Sequence, residues 1–461
     1  MPYRVTASSP SRPVMDLHWR RRAGLFALGY LLLAPIIILA LAQRLLIRRR
    51  RLVHWATKCS GRIKRVPPGA VVVHGVSMGE VMLMRALVPA LEDAGLGPCL
   101  LTTTTETGDE ALARQFPVHH RAPWPFDLPW ATARFLQRSR PRAVILLELE
   151  LWPLLLCACF QRQIPVLIVN ARISARSFRG YHRARAVLRP LLRRLAGACC
   201  QNRLWAARLQ ALGLRHCPVT GSLKADMVSP ADDQARDAEA RRIGLEPGPA
   251  QAKQVFLIAS TSHGEEDALY ASWTRWGAEP GWRLVICPRH PERGPALERM
   301  VANDGRPVWR SSGGGPPPGD PATVVIVDEI GRLGALYANA SLCVVGGGLG
   351  SGRGGQNMLE AAAAGCATVV GPDYRNQPDA MAVLRAAQAV AVLDPASPDA
   401  TLAPLATDPA RRQAMGIAGR AAWDQARGAA PRTVAAIASL LASAPRPTIV
   451  GPATTDHRSP S

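Results

Sequence analysis

From residue 66 onward, short unbroken apolar runs alternate with longer stretches in which apolar residues recur at helical spacing. The runs cover 70–74 (AVVVH), 99–103, 143–147 (AVILL) and 166–169, then 255–260 (VFLIAS), 283–287, 324–327, 342–345 and 368–370. Runs apolar on both faces and separated by helices predict parallel strands in α/β units. The two series flank a Pro/Asp/Gln-rich stretch. They predict two Rossmann-like domains, 66–228 and 254–444, joined by a linker over 229–253. Domains of this kind hold a ligand in the central cleft that they face. Residues 311–322 (SSGGGPPPGDPA) read as a flexible surface loop, and 445–461 as a disordered polar tail.

One apolar run is different. Residues 23–42 carry no charge over twenty positions, follow Arg20-Arg21-Arg22 and precede Arg44 and Arg48 to Arg51. Twenty helical residues span about 30 Å, the hydrocarbon thickness of a bilayer. A cleaved signal peptide is the competing reading, since Ala40-Leu41-Ala42 has the small-x-small form of a cleavage site. The length of the run and the basic segment after it favour an uncleaved anchor. The N-terminus then divides into a basic tail over 1–22, a transmembrane helix over 23–43 and a basic juxtamembrane segment over 44–65. With nine basic residues after the run against five before it, the positive-inside rule places the bulk of the chain in the cytoplasm. The basic segment would also attract anionic lipid headgroups.

Charge and composition narrow the class. The 461-residue chain has a formal charge of +22, of which residues 1–65 supply +13. With most of the excess beside the anchor and aromatics at 5%, a nucleic-acid-binding protein is disfavoured. A hydrophobic fraction of 48% excludes wholesale disorder. The ten cysteines contain no C-x-x-C pair and read as reduced core thiols with no zinc spacing.

Candidate chemistry follows the strands. His74-Gly75-Val76-Ser77-Met78-Gly79-Glu80 leaves the first strand and places Glu80 at the start of a helix. Complementing the helix dipole is the commoner role for such a residue; a general base at a strand's C-terminal edge is the functional one. Ser77, the pair Glu148 and Glu150, and Lys224, in a chain with only four lysines, are further candidates around an acceptor or transition state. In the second half Arg289, after Pro288, places a cation beside a rigid turn. Gly346 to Gly348 and Gly352 to Gly355 feed a helix start at Asn357 and Glu360, a form suited to holding a phosphate on backbone amides.

In order, HGVSMGE, TTTTETG, FDLPW, ELELWP, NARISARSFRGY, GSLKAD, ASTSHGEE, PRHPER, YANASLCVVGG and GGQNMLEAAAAG resemble the lipopolysaccharide Kdo (3-deoxy-D-manno-octulosonic acid) transferases over residues 20 to 440. The resemblance implies a membrane-anchored inverting glycosyltransferase of GT-B fold at the cytoplasmic face of the cell inner membrane. It implies transfer of Kdo from CMP-Kdo to a lipid A precursor (lipid IVA), with inner-membrane lipids as surroundings and no metal or cofactor. By the same resemblance Glu80 is the general base, and Pro288, Arg289, Gly331, Arg332, Leu333, Asn357, Met358, Leu359 and Glu360 bind CMP. The sequence departs from the family at Gly331-Arg332-Leu333, where Gly-Glu-Leu is usual, and at Gln356, where His is usual. Two alternatives are a transferase on this fold with another CMP-sugar acid donor or acceptor, and a non-catalytic membrane-tethered binding paralogue. Retention of Glu80 and Glu360 argues against the second.

Overall fold

The computed structural model describes residues 54–248, 254–277, 281–317 and 319–444. The readings of residues 1–22 and 23–43 and of the tail 445–461 lie outside these. Among the described residues no helix is long and apolar enough to cross a membrane. The chain forms two compact units: unit 1 runs to Thr220 and resumes at Pro431, and unit 2 is Gly221–Ala430.

Unit 1 is built on a parallel sheet of six strands: β1 (Val71–Gly75), β2 (Cys99–Thr103), β3 (His120–Pro123), β4 (Ala143–Leu147), β5 (Val166–Ala171) and β6 (Gly197–Cys200). They lie in the order β3-β2-β1-β4-β5-β6. Strands β1, β2, β4 and β5 are buried at every position, so both faces are covered and both must be apolar. Chain order reverses between β1 and β4, and loops leaving the C-terminal ends of such a pair diverge to leave a crevice. The helix Met78–Asp93 packs Val81, Met84, Val88 and Leu91 against the sheet. It lies so close to β1 that a Cβ at Gly75 would sit 2.9 Å from Glu80 Cβ.

Unit 2 carries seven parallel strands: β7 (Val255–Thr261), β8 (Arg283–Pro288), β9 (Val308–Arg310), β10 (Val324–Ile326), β11 (Leu342–Val345), β12 (Ala367–Val370) and β13 (Val390–Val392). Their order is β13-β12-β11-β7-β8-β10-β9, with the reversal between β7 and β11. Every expected strand is present. Four more were not anticipated: β3, β6, β9 and β13, the outermost strands of the two sheets.

Several segments differ from their sequence reading. Residues 54–65, read as juxtamembrane, are folded into unit 1 through the helix Trp55–Ser60: Ile63 joins the core, Phe126 N–H donates to the Lys58 carbonyl (3.0 Å), and Trp130 Nε1–H donates to the Cys59 carbonyl (2.9 Å). The stretch read as a linker contains the helix Asp233–Arg242, which packs on the helix Leu333–Tyr337 of unit 2. In the loop read as flexible, Ser311 and Ser312 are held on Asp328 by hydroxyl and amide hydrogen bonds of 2.7–3.1 Å. The last helix, Ala429–Ala442, leaves unit 2 at Ala430 and completes unit 1: Thr433 Oγ1 donates to Thr220 Oγ1 (2.9 Å) and Arg432 Nε–H to the Thr220 carbonyl (3.0 Å). All ten cysteines are free, nine of them buried.

Candidate functional site

In unit 1 the polar groups gather at the C-terminal ends of β1, β4 and β5. Ser77 caps the helix Met78–Asp93, its Oγ accepting from Glu80 N–H (3.4 Å) and donating to Glu80 Oε1 (3.0 Å). The second carboxylate oxygen accepts from Val76 N–H at 2.5 Å. This is a capping box, reciprocal between the cap residue and the third helical position. Glu80 is half-buried, and burial raises its pKa against the lowering pull of the Val76 N–H; the charge of Glu148 adds to the rise. Glu150 lies in the same field: burial first, then Glu80 and Glu148, push its carboxyl up to about 7. Tyr181 is raised by burial and then by Glu150. Glu148 pairs with Arg172 Nε–H at 3.0 Å.

The backbone here is strained. Glu148 (φ 58°) and Asn170 (φ 56°) both take the left-handed conformation where β4 and β5 end. That costs roughly 1–2 kcal/mol for a side-chain-bearing residue and concentrates at functional sites. The loop is pinned by Glu148 N–H to the Val169 carbonyl (2.9 Å) and Gln201 Nε2–H to the Asn170 carbonyl (2.7 Å). From FDLPW, buried Asp127 accepts from Leu154 N–H (3.0 Å) and Leu155 N–H (2.8 Å), fixing the helix Pro153–Gln161 that follows the Glu148–Glu150 turn.

His74 is no acid or base. It is fully buried and stacked on Trp124 with ring centroids 3.8 Å apart. Thr102 Oγ1 donates to the Val73 carbonyl (3.2 Å) and so accepts from His74 Nδ1–H (3.1 Å). Burial depresses the imidazole to about 3, which keeps it neutral. The hydroxyl run TTTTETG is likewise used internally: Thr103 bonds the Val76 carbonyl and Thr105 caps the helix Glu106–Gln115. Lys58, not anticipated, lies 7% exposed beneath this loop and donates to the Thr104 carbonyl at 2.7 Å.

In unit 2 the polar groups again collect where strands end. Arg289 follows β8, exposed, its N–H held by the Thr261 carbonyl of β7 (3.0 Å). Asn357 Nδ2–H donates to Glu360 Oε1 (2.9 Å). Burial raises Glu360, opposed by that hydrogen bond and by the charge of Arg289, so the three residues share one neighbourhood. Met358 and Leu359 are buried, and Pro288 ends β8 inside the core. The helix expected to present an anion-binding N-terminus is only Leu359–Ala363, five residues. Its dipole is correspondingly small, and the Gly346, Gly347, Leu349, Gly355 and Gln356 amides already donate to Ala259, Glu265, Gly347 and Gly346, while Arg289 stands exposed. Gly331 takes φ 89° before Arg332, which pairs with Glu239 (3.5 Å) and Glu329 (3.8 Å).

Sequence reasoning missed the residue that organises this loop. Glu265, 2% exposed, accepts from Ser262 N–H (2.8 Å), Gly347 N–H (2.8 Å) and Leu349 N–H (2.9 Å), bridging β7 to the glycines after β11. Gly346 must be glycine, since a Cβ there would meet Thr261 Cα at 2.6 Å. Lys224 belongs to unit 2, on the short helix Leu223–Asp226, whereas Ser77, Glu148 and Glu150 belong to unit 1. Asp226 accepts from Gly428 N–H and Ala430 N–H, both at 2.5 Å, at the start of the last helix. Among the described residues no group of three or more His, Cys, Asp or Glu could hold a metal ion.

Residues 47–227 match the family described as 3-Deoxy-D-manno-octulosonic-acid transferase (kdotransferase). A 3-deoxy-D-manno-octulosonic acid transferase of Bordetella pertussis is 36% identical over 444 residues, covering 91% of this chain and 99% of that protein. The chain belongs to this transferase family. A Haemophilus influenzae enzyme of the same name is 30% identical over 330 residues, 70% of this chain and 75% of that one. Among solved structures, UDP-GlcNAc 2-epimerase from Neisseria meningitidis bound to UDP-GlcNAc aligns over 81% of this chain and 99% of its own, with TM-score 0.52 and 14% identity. That likeness is one of fold, α/β and GT-B-like. The Kdo transferase family is a family of glycosyltransferases, and this member is an enzyme of that class.

Proposed function

We propose that this enzyme moves Kdo from CMP-Kdo to a lipid A precursor, lipid IVA, in lipopolysaccharide biosynthesis, with inversion at the anomeric carbon. The observation that carries the reading is Glu80: a half-buried carboxylate of raised pKa at the C-terminal edge of β1, in a chain whose relatives are named for Kdo transfer. Glu80 accepts from Val76 N–H, from the Ser77 hydroxyl and from the Ser77 backbone, and a carboxylate has roughly four lone-pair sites. One is therefore available to an acceptor hydroxyl.

In the proposed step the acceptor O–H gives its proton to Glu80. The oxygen forms a bond to the anomeric carbon from the face opposite the phosphate, and the bond to the phosphate oxygen breaks with its electron pair, releasing CMP. Glu148 strengthens the base by opposing the loss of its proton, and Glu150 beside it is itself pushed up to about 7 by burial and by these two carboxylates. Arg289 takes up the charge on the departing phosphate, while Pro288, Gly331, Leu333, Met358 and Leu359 shape the cytidine site and Asn357 with Glu360 hold its ribose. Arg332 reverses the family's usual charge, yet it is balanced by Glu239 and Glu329, which favours the unchanged donor. Lys224 stands as a further cation for the transition state. CMP-Kdo is a substrate, and the step calls for no metal or cofactor. A single helix over 23–43 anchors the enzyme, with the catalytic units on the cytoplasmic side of the inner membrane; the uncharged run and its basic flanks support this.

The test is transfer from freshly generated CMP-Kdo to a tetraacylated lipid A precursor by the wild type and by Glu80→Ala. A base of this kind contributes ~10²–10⁴-fold, so product formation should fall by that factor in a variant that keeps its fold. A wild type that makes no glycolipid, or a variant of undiminished rate, overturns the proposal.

A further inference from the structure

Between Leu151 and Thr220 the chain holds twelve arginines and no aspartate or glutamate. All seventy residues belong to unit 1, where they build the β5–β6 flank, and of their arginines Arg172 is paired with Glu148. At the N-terminal edge of the sheet, opposite the carboxylates, this flank opens into a cavity of about 400 Å³. Ile164 and Pro165 line it just before β5, and Ala196 just before β6. Phe160 and Leu440 add apolar walls, and Arg193, Arg194 and Arg215 stand exposed around it. No acidic residue lines the cavity. One wall is the end of the last helix, packed so tightly that a Cβ at Gly197 would fall 2.7 Å from Leu440 Cδ1.

We propose that this cavity binds the headgroup and upper acyl chain of an anionic phospholipid. The Arg193 and Arg215 guanidiniums at one rim repel each other, and an anion relieves that repulsion. A phosphodiester matches the planar guanidinium fork, while the apolar walls accept the glycerol and first methylenes. The volume is within the range of small-molecule sites, about 300–1,000 Å³. Inorganic phosphate would leave the apolar walls unused. The tail over 445–461 has the wrong sign, with Arg446, His457 and Arg458 against the single acid Asp456. Because the last helix forms one wall, an occupant bridges it to the sheet edge and stabilises unit 1.

The proposal is independent of the transfer reaction. It is tested on the full chain in uncharged detergent micelles, titrated with dihexanoylphosphatidylglycerol, dihexanoylphosphatidylcholine or inorganic phosphate, with Tm and native mass spectrometry as readouts. The expected result is a saturable rise in Tm and a bound adduct with the glycerol lipid alone. Arg193→Gln/Arg215→Gln should weaken that binding about tenfold or more, as loss of charge-assisted hydrogen bonds implies. Leu440→Trp, which fills the cavity without changing charge, should do the same. Substituting Arg299 and Arg411 of unit 2 by glutamine, outside the cavity, should leave it, and CMP should shift Tm equally in every variant. The proposal fails if the choline lipid or phosphate alone reproduces the full shift, or if the shift survives in both cavity variants.

Discussion

Glu265 gives the sharpest quantitative prediction, because its three hydrogen bonds are divided unequally between its oxygens. Oε2 accepts from Ser262 N–H and Gly347 N–H, and Oε1 from Leu349 N–H. Glu265→Gln keeps the shape and creates no cavity. Its amide oxygen can serve the first pair, but its NH₂ then faces the Leu349 N–H, donor against donor. The loss is one charge-assisted hydrogen bond, about 1.5–3 kcal/mol, plus the cost of leaving a buried donor unpaired, about 1–3 kcal/mol. A total of about 2.5–6 kcal/mol follows. Most of it should appear locally, since the bonds tie the Gly346–Gly348 loop to β7. Hydrogen–deuterium exchange on the full-length enzyme reads it directly: protection over 346–349 should fall between about seventyfold and about twenty-thousandfold. CMP affinity should fall with it, because the loop that these bonds hold in place lies beside the proposed CMP site. Wild-type protection in a correctly folded Glu265→Gln protein would refute the reasoning.

Other predictions are more compact. Arg289→Met should weaken CMP binding by about tenfold or more in an equilibrium titration, the cost of one charged hydrogen bond to phosphate, and should raise the Glu360 pKa further. For Glu150, burial lifts the folded-state carboxyl from its ordinary 4.5 to about 7, so the folded chain keeps a proton that the unfolded chain gives up between those values. Stability from this group is complete below about pH 4.5 and lost as pH rises through 7. Glu150→Gln should therefore melt above the wild type at pH 8 and approach it near pH 4.5, and equal differences at the two pH values would contradict the assignment.

The interior of both sheets is legible in the sequence because its strands are buried on both faces and need apolar residues at every position. The edge strands are not. His120–Pro123 is largely exposed, and Val308–Arg310 and Val390–Val392 are half-buried, so three or four residues with one covered face leave no run to recognise. Gly197–Cys200 is buried, but it opens with glycine and owes its burial to the returning helix, which sequence distance hides. Glu80 was readable at once as a cap and as a candidate base, and the two are compatible: Val76 and Ser77 leave part of the carboxylate's accepting capacity open. Glu265 was only one of several acids after β7, since its role depends on amides more than eighty residues away. Counting charge from the N-terminus hid the arginine flank, because acids elsewhere in the chain offset it in the sum.

The path of the chain through Thr220 and Pro431 also sets an order of manufacture. Unit 1 is not a continuous segment: its Thr220 hydroxyl waits for Thr433, and the surface beside Gly197 waits for Leu440. A ribosome delivers those residues only after all of unit 2 has been made. Until then the first sheet lacks that cover, and unit 1 cannot close before unit 2 has been synthesised. Expression of residues 54–228 alone would yield a protein that lacks its own final wall, and a foreign segment fused within the last helix would disturb the unit that begins four hundred residues earlier.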